Sequence, residues 1–389
     1  MSNFDLSAIA LKAVCPNNDI LVDDKGAPSV VVRIPKQTFA DLGLGTSTEV
    51  HPAFRVNGAV VDEICISKYQ NILGNEGRAY SLPGVDPQVN ITLDQSVSAC
   101  AAKGEGWHLM TRAEWALLAL WCKKNGTMPK GNNLYGKDTS ESNYKAIPTM
   151  TYDDSGVQRI GRVATGTGPL SWSHDGTPSG IWDLNGNVWE WVGGVRMVNG
   201  ELQVLVDNNA ADSAHSQGAS STEWKAINGL ATSIANIYLT PNGSGTTANS
   251  IKLDMVSGHW QWALTQTDKK DEGRGATFSA TTIASGVSDY AAQFIRALAF
   301  APVAGDTSYG DDYFYANNGN SERSFCCGGD WSTGANAGVF YASGYVRPLG
   351  LLLACRLPLC LCETAYCYLI PVCCATAQLV LPTARSAVA

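Results

Sequence analysis

The chain has 389 residues, 45% of them hydrophobic, which excludes wholesale disorder and leaves room for one large domain or two ordinary ones. Its formal charge of -8 argues against a nucleic-acid-binding face, which needs clustered Lys and Arg. Met1 to Cys15 carries Asp5 and lacks both a basic n-region and an apolar h-region, so no secretory signal peptide is expected.

Residues 1 to about 50 read as a small β-rich lead-in. Within it, Pro28-Ser29-Val30-Val31-Val32-Arg33-Ile34-Pro35 is a β-branched strand closed by prolines. In the run from Phe54 to Tyr69, Asn57-Gly58 lies between two apolar halves and predicts a hairpin, because both turn positions need positive φ. Two helices are expected next. Asp94 to Lys103 places Val97, Cys100 and Ala101 at helical spacing and stops at Gly104. Thr111-Arg112-Ala113-Glu114 forms a capping box, Trp115, Leu118, Ala119 and Cys122 make an apolar stripe, and Asn125-Gly126 ends the helix. From Gly126 to Gly180, Gly, Asn, Ser, Thr and Pro predict surface loops.

Ile181 to Val192 is the next dense block. Residues 195 to about 320 read as an insertion, loosest at Ser220 to Thr222 and Asn242 to Ser250, with Trp260 and Trp262 marking some packed core. The expected class is α+β: two helices and an antiparallel sheet joined by long loops. The expected divisions are a lead-in at 1–50, a main domain at 51–357 and a hydrophobic, Cys-rich tail at 358–389.

Of the twelve cysteines, Cys326, Cys327, Cys355, Cys360, Cys362, Cys367, Cys373 and Cys374 crowd the end. None of the twelve has C-x-x-C spacing and the five His are scattered, so no metal site of the zinc type is expected. Disulfide scaffolds usually concentrate their cysteines in far shorter chains, so a reduced, intracellularly made protein is expected. Thr364 to Ala384 has no charged side chain and is long enough for a membrane span. Pro371, Pro382, Gln378 and three Thr are costly at a bilayer centre, so a buried terminal strand or a tail fits better than an anchor.

Three blocks stand apart: Trp107-His108-Leu109-Met110-Thr111-Arg112-Ala113-Glu114-Trp115, Gly180-Ile181-Trp182-Asp183-Leu184-Asn185-Gly186-Asn187-Val188-Trp189-Glu190-Trp191-Val192, and Gly328-Gly329-Asp330-Trp331 with Cys355-Arg356. In this order they resemble the formylglycine-generating-enzyme / sulfatase-modifying-factor family, a branch of the C-type lectin fold, over about residues 50 to 357. The middle block needs a tight turn at Asn185-Gly186-Asn187, and Trp189 and Trp191 alternate on a strand where they can cover the core. Asp183 and Glu190 can satisfy buried amides. The resemblance offers a second role, since positions matching Asp183, Gly186, Val188 and Glu190 surround a structural calcium in the enzyme branch. No other cofactor is implied.

That enzyme activity is not expected here. The resemblance places its two catalytic cysteines at about Thr333 and Gly338, and neither residue can bind copper or form a thiolate. Cys326 and Cys327 read as inert thiols on a buried strand, and His108 and His174 are singletons rather than parts of a three-His iron site.

The run from Gly328 through Gly334-Ala335-Asn336-Ala337-Gly338 and Phe340-Tyr341 to Tyr345, closing at Cys355-Arg356, is similar to the variable region of diversity-generating-retroelement proteins. Adenine randomisation at AAC codons cannot yield Lys, Glu, Gln, Met or Trp, and none of these occurs between Ser332 and Cys355. The resemblance implies a variable region at about 328–356 that displays Asp330, Ser332, Thr333, Ser343, Tyr345, Pro348, Leu349, Gly350, Leu351, Leu352 and Leu353. Gly328, Gly329, Trp331, Phe340, Tyr341 and Arg356 would be scaffold. Leu349 to Leu353 could equally be a buried strand on periodicity alone. The implied function is recognition of an unknown protein or cell-surface ligand by a phage- or virion-associated protein. The runner-up is a metal-dependent cysteine oxidase using displaced cysteines such as Cys326 and Cys355. A structural virion protein without an evolved ligand is the third possibility.

Overall fold

The computed structural model describes residues 3–74, 76–346, 355–356 and 359–361. Among them are four α-helices: α1 (Asn3–Val14), α2 (Leu93–Ala101), α3 (Arg112–Asn125) and α4 (Asp289–Ala297). Most strand pairings are antiparallel, which gives an α+β fold. Two helices were expected, so α1 and α4 are corrections. The Ser288 hydroxyl accepts from Ala291 N–H to start α4, whose Phe294 and Ile295 are buried. The lead-in opens on α1 rather than on a strand.

α2 starts one residue earlier than expected, behind a capping box formed by Thr92 and Gln95. α3 forms as its sequence dictates. Thr111 Oγ1 accepts from Glu114 N–H (3.2 Å), Thr111 N–H donates to Glu114 Oε2 (2.8 Å), and Gly126 ends the helix at φ 67°. Its burial is broader than a stripe: every residue from Arg112 to Leu120 is inside. Arg112 is tolerated there because its guanidinium donates to the Leu298 and Ala299 carbonyls and lies over the Phe300 ring.

The Asn57-Gly58 turn forms with φ of 53° and 73°, but it joins only Arg55–Val56 to Ala59–Val60. The chain then leaves the hairpin, and Glu63–Ser67 pairs with Pro28–Pro35. A five-stranded sheet has the order Asn18–Val22, Pro28–Pro35, Glu63–Ser67, Leu359–Leu361, Trp107–Leu109. Strands from the lead-in and from the main domain therefore share one sheet. The polar segment 126–180 is mostly loop, with a Thr151–Asp154/Val157–Ile160 hairpin.

The larger sheet is centred on Gly338–Val346, Arg323–Gly328, Trp189–Val198 and Glu201–Leu205, in that order. Trp260 and Trp262 are fully buried and donate to the Phe314 and Phe300 carbonyls. The same hydrophobic cluster contains Trp115 of α3 and Phe294 of α4, so the 195–320 segment packs into the principal core. Among the described residues no helix is long and apolar enough to cross a membrane. The 362–389 part of the tail lies outside the described residues.

Candidate functional site

The segment beginning at Gly328 folds as a strand hairpin, Arg323–Gly328 against Gly338–Val346, joined by a loop. Gly328 and Gly329 have φ of 85° and 80°, and a Cβ on Gly329 would lie 2.6 Å from Ala337 Cβ. Only glycine fits there. The loop is then organised by Asp330, which is 9% exposed. Its Oδ1 accepts from Ser332 N–H (2.9 Å), Ser332 Oγ (3.0 Å) and Thr333 Oγ1 (2.8 Å). Asp330 is consequently part of the frame and not of a display surface.

Ser332, Ala335 and Asn336 are exposed, while Trp331, Thr333 and Gly334 are half-buried. Trp331 N–H donates to Asn187 O (3.3 Å), Tyr135 N–H donates to Trp331 O (2.8 Å) and Gly334 N–H donates to Asn133 O (2.9 Å). Backbone bonds thus hold the loop together with the Asp330 contacts, in which the exposed Ser332 hydroxyl takes part.

The returning strand is mostly interior. Phe340 is fully buried between Phe278 and Tyr309, with ring centroids 4.9 and 4.8 Å away. Tyr341 is buried and stacks on Trp189 at 6.4 Å. Ser343, expected at the surface, is only 3% exposed. It lies in register between Tyr315 and Cys326, so strands on both sides cover it. A Cβ on Gly344 would come within 2.6 Å of the Phe325 ring. Tyr345 is the strand's outward residue, 46% exposed, with its ring 5.3 Å from that of Tyr315 and the Arg323 guanidinium 5.8 Å from its centroid. Residues 313–323 therefore help to shape this end of the face, which the motif spacing could not reveal.

Pro348, Leu349, Gly350, Leu351, Leu352 and Leu353 lie outside the described residues. The backbone of Cys355–Arg356 pairs in parallel with Trp189-Glu190, and the Arg356 side chain lies outside the description.

Beneath the loop, the middle motif works as a polar clasp. Asp183, Gly186 and Asn187 adopt φ of 65°, 76° and 63°, and a Cβ on Gly186 would sit 2.3 Å from Asn132 O. Asn187 Nδ2 donates to Gln70 Oε1 (2.6 Å) and Val163 O (3.2 Å), and its Oδ1 accepts from Val163 N–H (2.9 Å) and Asn132 Nδ2 (3.1 Å). Asp183 Oδ2 accepts from Gly166 N–H (2.8 Å) and Glu190 Oε1 from Gln70 Nε2 (3.4 Å). Both carboxylates serve buried amides, as their setting demands. Among the described residues no group of three or more His, Cys, Asp or Glu is placed to hold a metal ion. The calcium expectation for Asp183, Gly186, Val188 and Glu190 rests on the resemblance alone.

Cys326 and Cys327 are fully buried. Burial pushes the Cys327 thiol up to about 12 despite Arg112, whose Nη1 lies 3.0 Å from the sulfur. A thiol held protonated in this way is a poor nucleophile or copper ligand at neutral pH. His108 is bonded to Glu114 Oε1 through Nε2 (2.9 Å) and to Gly106 O through Nδ1 (2.8 Å), and His174 Nδ1 accepts from Ile181 N–H (2.8 Å). These contacts are structural.

No family model and no curated protein matches the chain. Solved structures overlap it slightly. The Major Tropism Determinant P3c variant does so at 10% identity and a TM-score of 0.27, over 88% of this chain and 71% of that one. The M1 variant gives 12% identity and a TM-score of 0.28, with the same coverage. PvdO from Pseudomonas aeruginosa gives 18% identity and a TM-score of 0.24 over 45% of this chain and 73% of that one. At these TM-scores the likeness carries no argument about function.

Proposed function

We propose that the chain is a ligand-binding display protein whose C-terminal region is diversified by a retroelement, and that it recognises a protein or cell-surface target for a phage or virion. One observation carries this: the hairpin after Gly328 buries its frame and turns Ser332, Ala335, Asn336 and Tyr345 outward. Side chains on such a rigid support can be exchanged without unfolding what holds them. Tyr345 is the proposed anchor, because a half-exposed tyrosine offers apolar area and a hydroxyl at low entropic cost. The positions from Pro348 to Leu353 belong to the same proposal through the sequence resemblance.

This reading requires no cofactor, and calcium at the Asp183–Glu190 turn would be structural. An oxidase role is disfavoured by Thr333 and Gly338 at about the positions that the resemblance gives the catalytic cysteines. The test is genetic and biochemical together. Flanking DNA should hold a near-repeat of the segment coding for 328–356, differing at adenines, and a reverse transcriptase gene. Labelled protein should adhere to host cells, and Tyr345→Ala should abolish adherence without lowering the melting temperature. Absence of both the repeat and the adherence would refute the proposal.

A further inference from the structure

Asn18 and Lys68 are buried at 0% and 3% exposure, fifty residues apart in sequence. Asn18 opens the Asn18–Val22 strand and Lys68 follows Glu63–Ser67, the two strands flanking Pro28–Pro35. Lys68 is fixed opposite the middle strand by its N–H bond to Val30 O (3.0 Å), and its side chain reaches across to Asn18. There Lys68 Nζ donates to Asn18 Oδ1 and to Pro178 O. Asn18 Nδ2 points away, donating to Ser179 O (2.7 Å), so the amide presents its carbonyl to the amine.

An ammonium in this setting is poorly compensated. The acceptors it touches are neutral, and burial lowers the basicity of Lys68 even though Cys15 and Asp175 act in the opposite sense. An amine held against an amide carbonyl in this way is, once it gives up its proton, a nucleophile with a very high effective concentration.

We propose that Lys68 and Asn18 form an intramolecular isopeptide bond. Lys68 Nζ attacks Asn18 Cγ, the new N–C bond forms, the Cγ–Nδ2 bond breaks and Nδ2 departs as ammonia. Starting from the ammonium form, lysine and amide give the secondary amide and one ammonium ion, so no oxidant or co-reactant is needed. The proton shed by Nζ leaves on Nδ2, and Asp175 is the carboxylate whose charge acts on Lys68. It is held by Ser173 Oγ (3.1 Å) and Thr177 N–H (2.8 Å), in the 173–179 turn that also receives Asn18 and Lys68. A cleft of about 170 Å³ lined by Asn17, His174, Asp175 and Ser179 borders the same turn.

The experiment is denaturing mass spectrometry of the full chain, kept at neutral pH after purification, with peptide mapping. The expected result is an intact mass lower than the sequence mass by one ammonia, and a branched peptide joining the Asn18 and Lys68 segments. Lys68→Arg and Asn18→Ala should both return to their full sequence masses. Full recovery of linear Asn18 and Lys68 peptides from the unmutated chain after prolonged incubation would overturn the proposal. So would hydrolysis of Asn18 to Asp without a branched peptide.

Discussion

Glu114 caps α3, pairs with His108 and accepts from Asn208 Nδ2 (2.8 Å), all while fully buried. Burial alone would raise its pKa, but His108 and these donors hold it below the usual carboxylate range. Burial would likewise lower His108, and Glu114 overcomes this and raises it above its ordinary 6.5. The signs follow from linkage. The raised His108 contributes stability that is present below its ordinary pKa and lost as pH rises through the folded one. The depressed Glu114 contributes stability that is present above its ordinary 4.5 and lost as pH falls through the folded one. Glu114→Gln should therefore cost about 3–5 kcal/mol and remove both slopes, as read by urea unfolding across pH. An unaltered pH profile in the variant would show that the pair is not ionised. At Gly344 the expectation is steric: Ala would press on the buried Phe325 ring and cost about 1–3 kcal/mol. Tyr345→Ala, at an exposed position, should change stability by no more than about 0.5 kcal/mol, and paired thermal melts decide between the two.

At the scale of elements, the capping box of α3 was the legible signal. Thr111 and Glu114 write the start of α3 within four residues, so local chemistry specifies it without help from the rest of the chain. Thr111→Ala should cost roughly 0.5–2 kcal/mol, towards the upper end because Thr111 Oγ1 also donates to Asn208 Oδ1 (2.6 Å). A melt unchanged within error would mean that the cap contributes nothing. α1 was missed although Ser2 and Asp5 stand at capping-box spacing, because the first fifty residues were read from their β-branched run. α4 was missed because its Ser288 start lies inside a segment read as an insertion. The 330–336 loop depends on Asp330, and Asp330→Ala should speed hydrogen exchange at the Ser332 amide and weaken target binding although Asp330 itself is buried. Unchanged exchange at Ser332 would remove Asp330 from the frame.

For the whole molecule, frame and display face should separate energetically. Exchanging Ser332, Asn336 and Tyr345 together should alter target binding strongly while the melting transition stays in place. Phe340→Ala should cost about 3–5 kcal/mol, as truncation of a core aromatic does. If the triple variant unfolds while Phe340→Ala remains stable, the division between frame and face is wrong. A peptide bearing a cysteine-containing sulfatase motif, incubated with copper and the protein, should yield no aldehyde by mass spectrometry.

The sequence by itself determined what local chemistry controls: the capped α3, the Asn57-Gly58 turn, the glycines at 328, 329 and 186, and the lack of cysteine at 333 and 338. Which side chains of the C-terminal run face outward was decided only by the tertiary structure. Ser343 and Tyr345 sit on the same strand with the same alternation, yet neighbouring strands bury the first and leave the second at the surface. Asp330 looks like a display residue in sequence, and its burial follows from loop hydrogen bonds that form only once Gly328 and Gly329 have turned the chain. The contact between Asn18 and Lys68 is likewise invisible at a separation of fifty residues. Strand pairing across the Pro28–Pro35 strand brings them together, because sheet register places residues by alignment and not by distance along the chain.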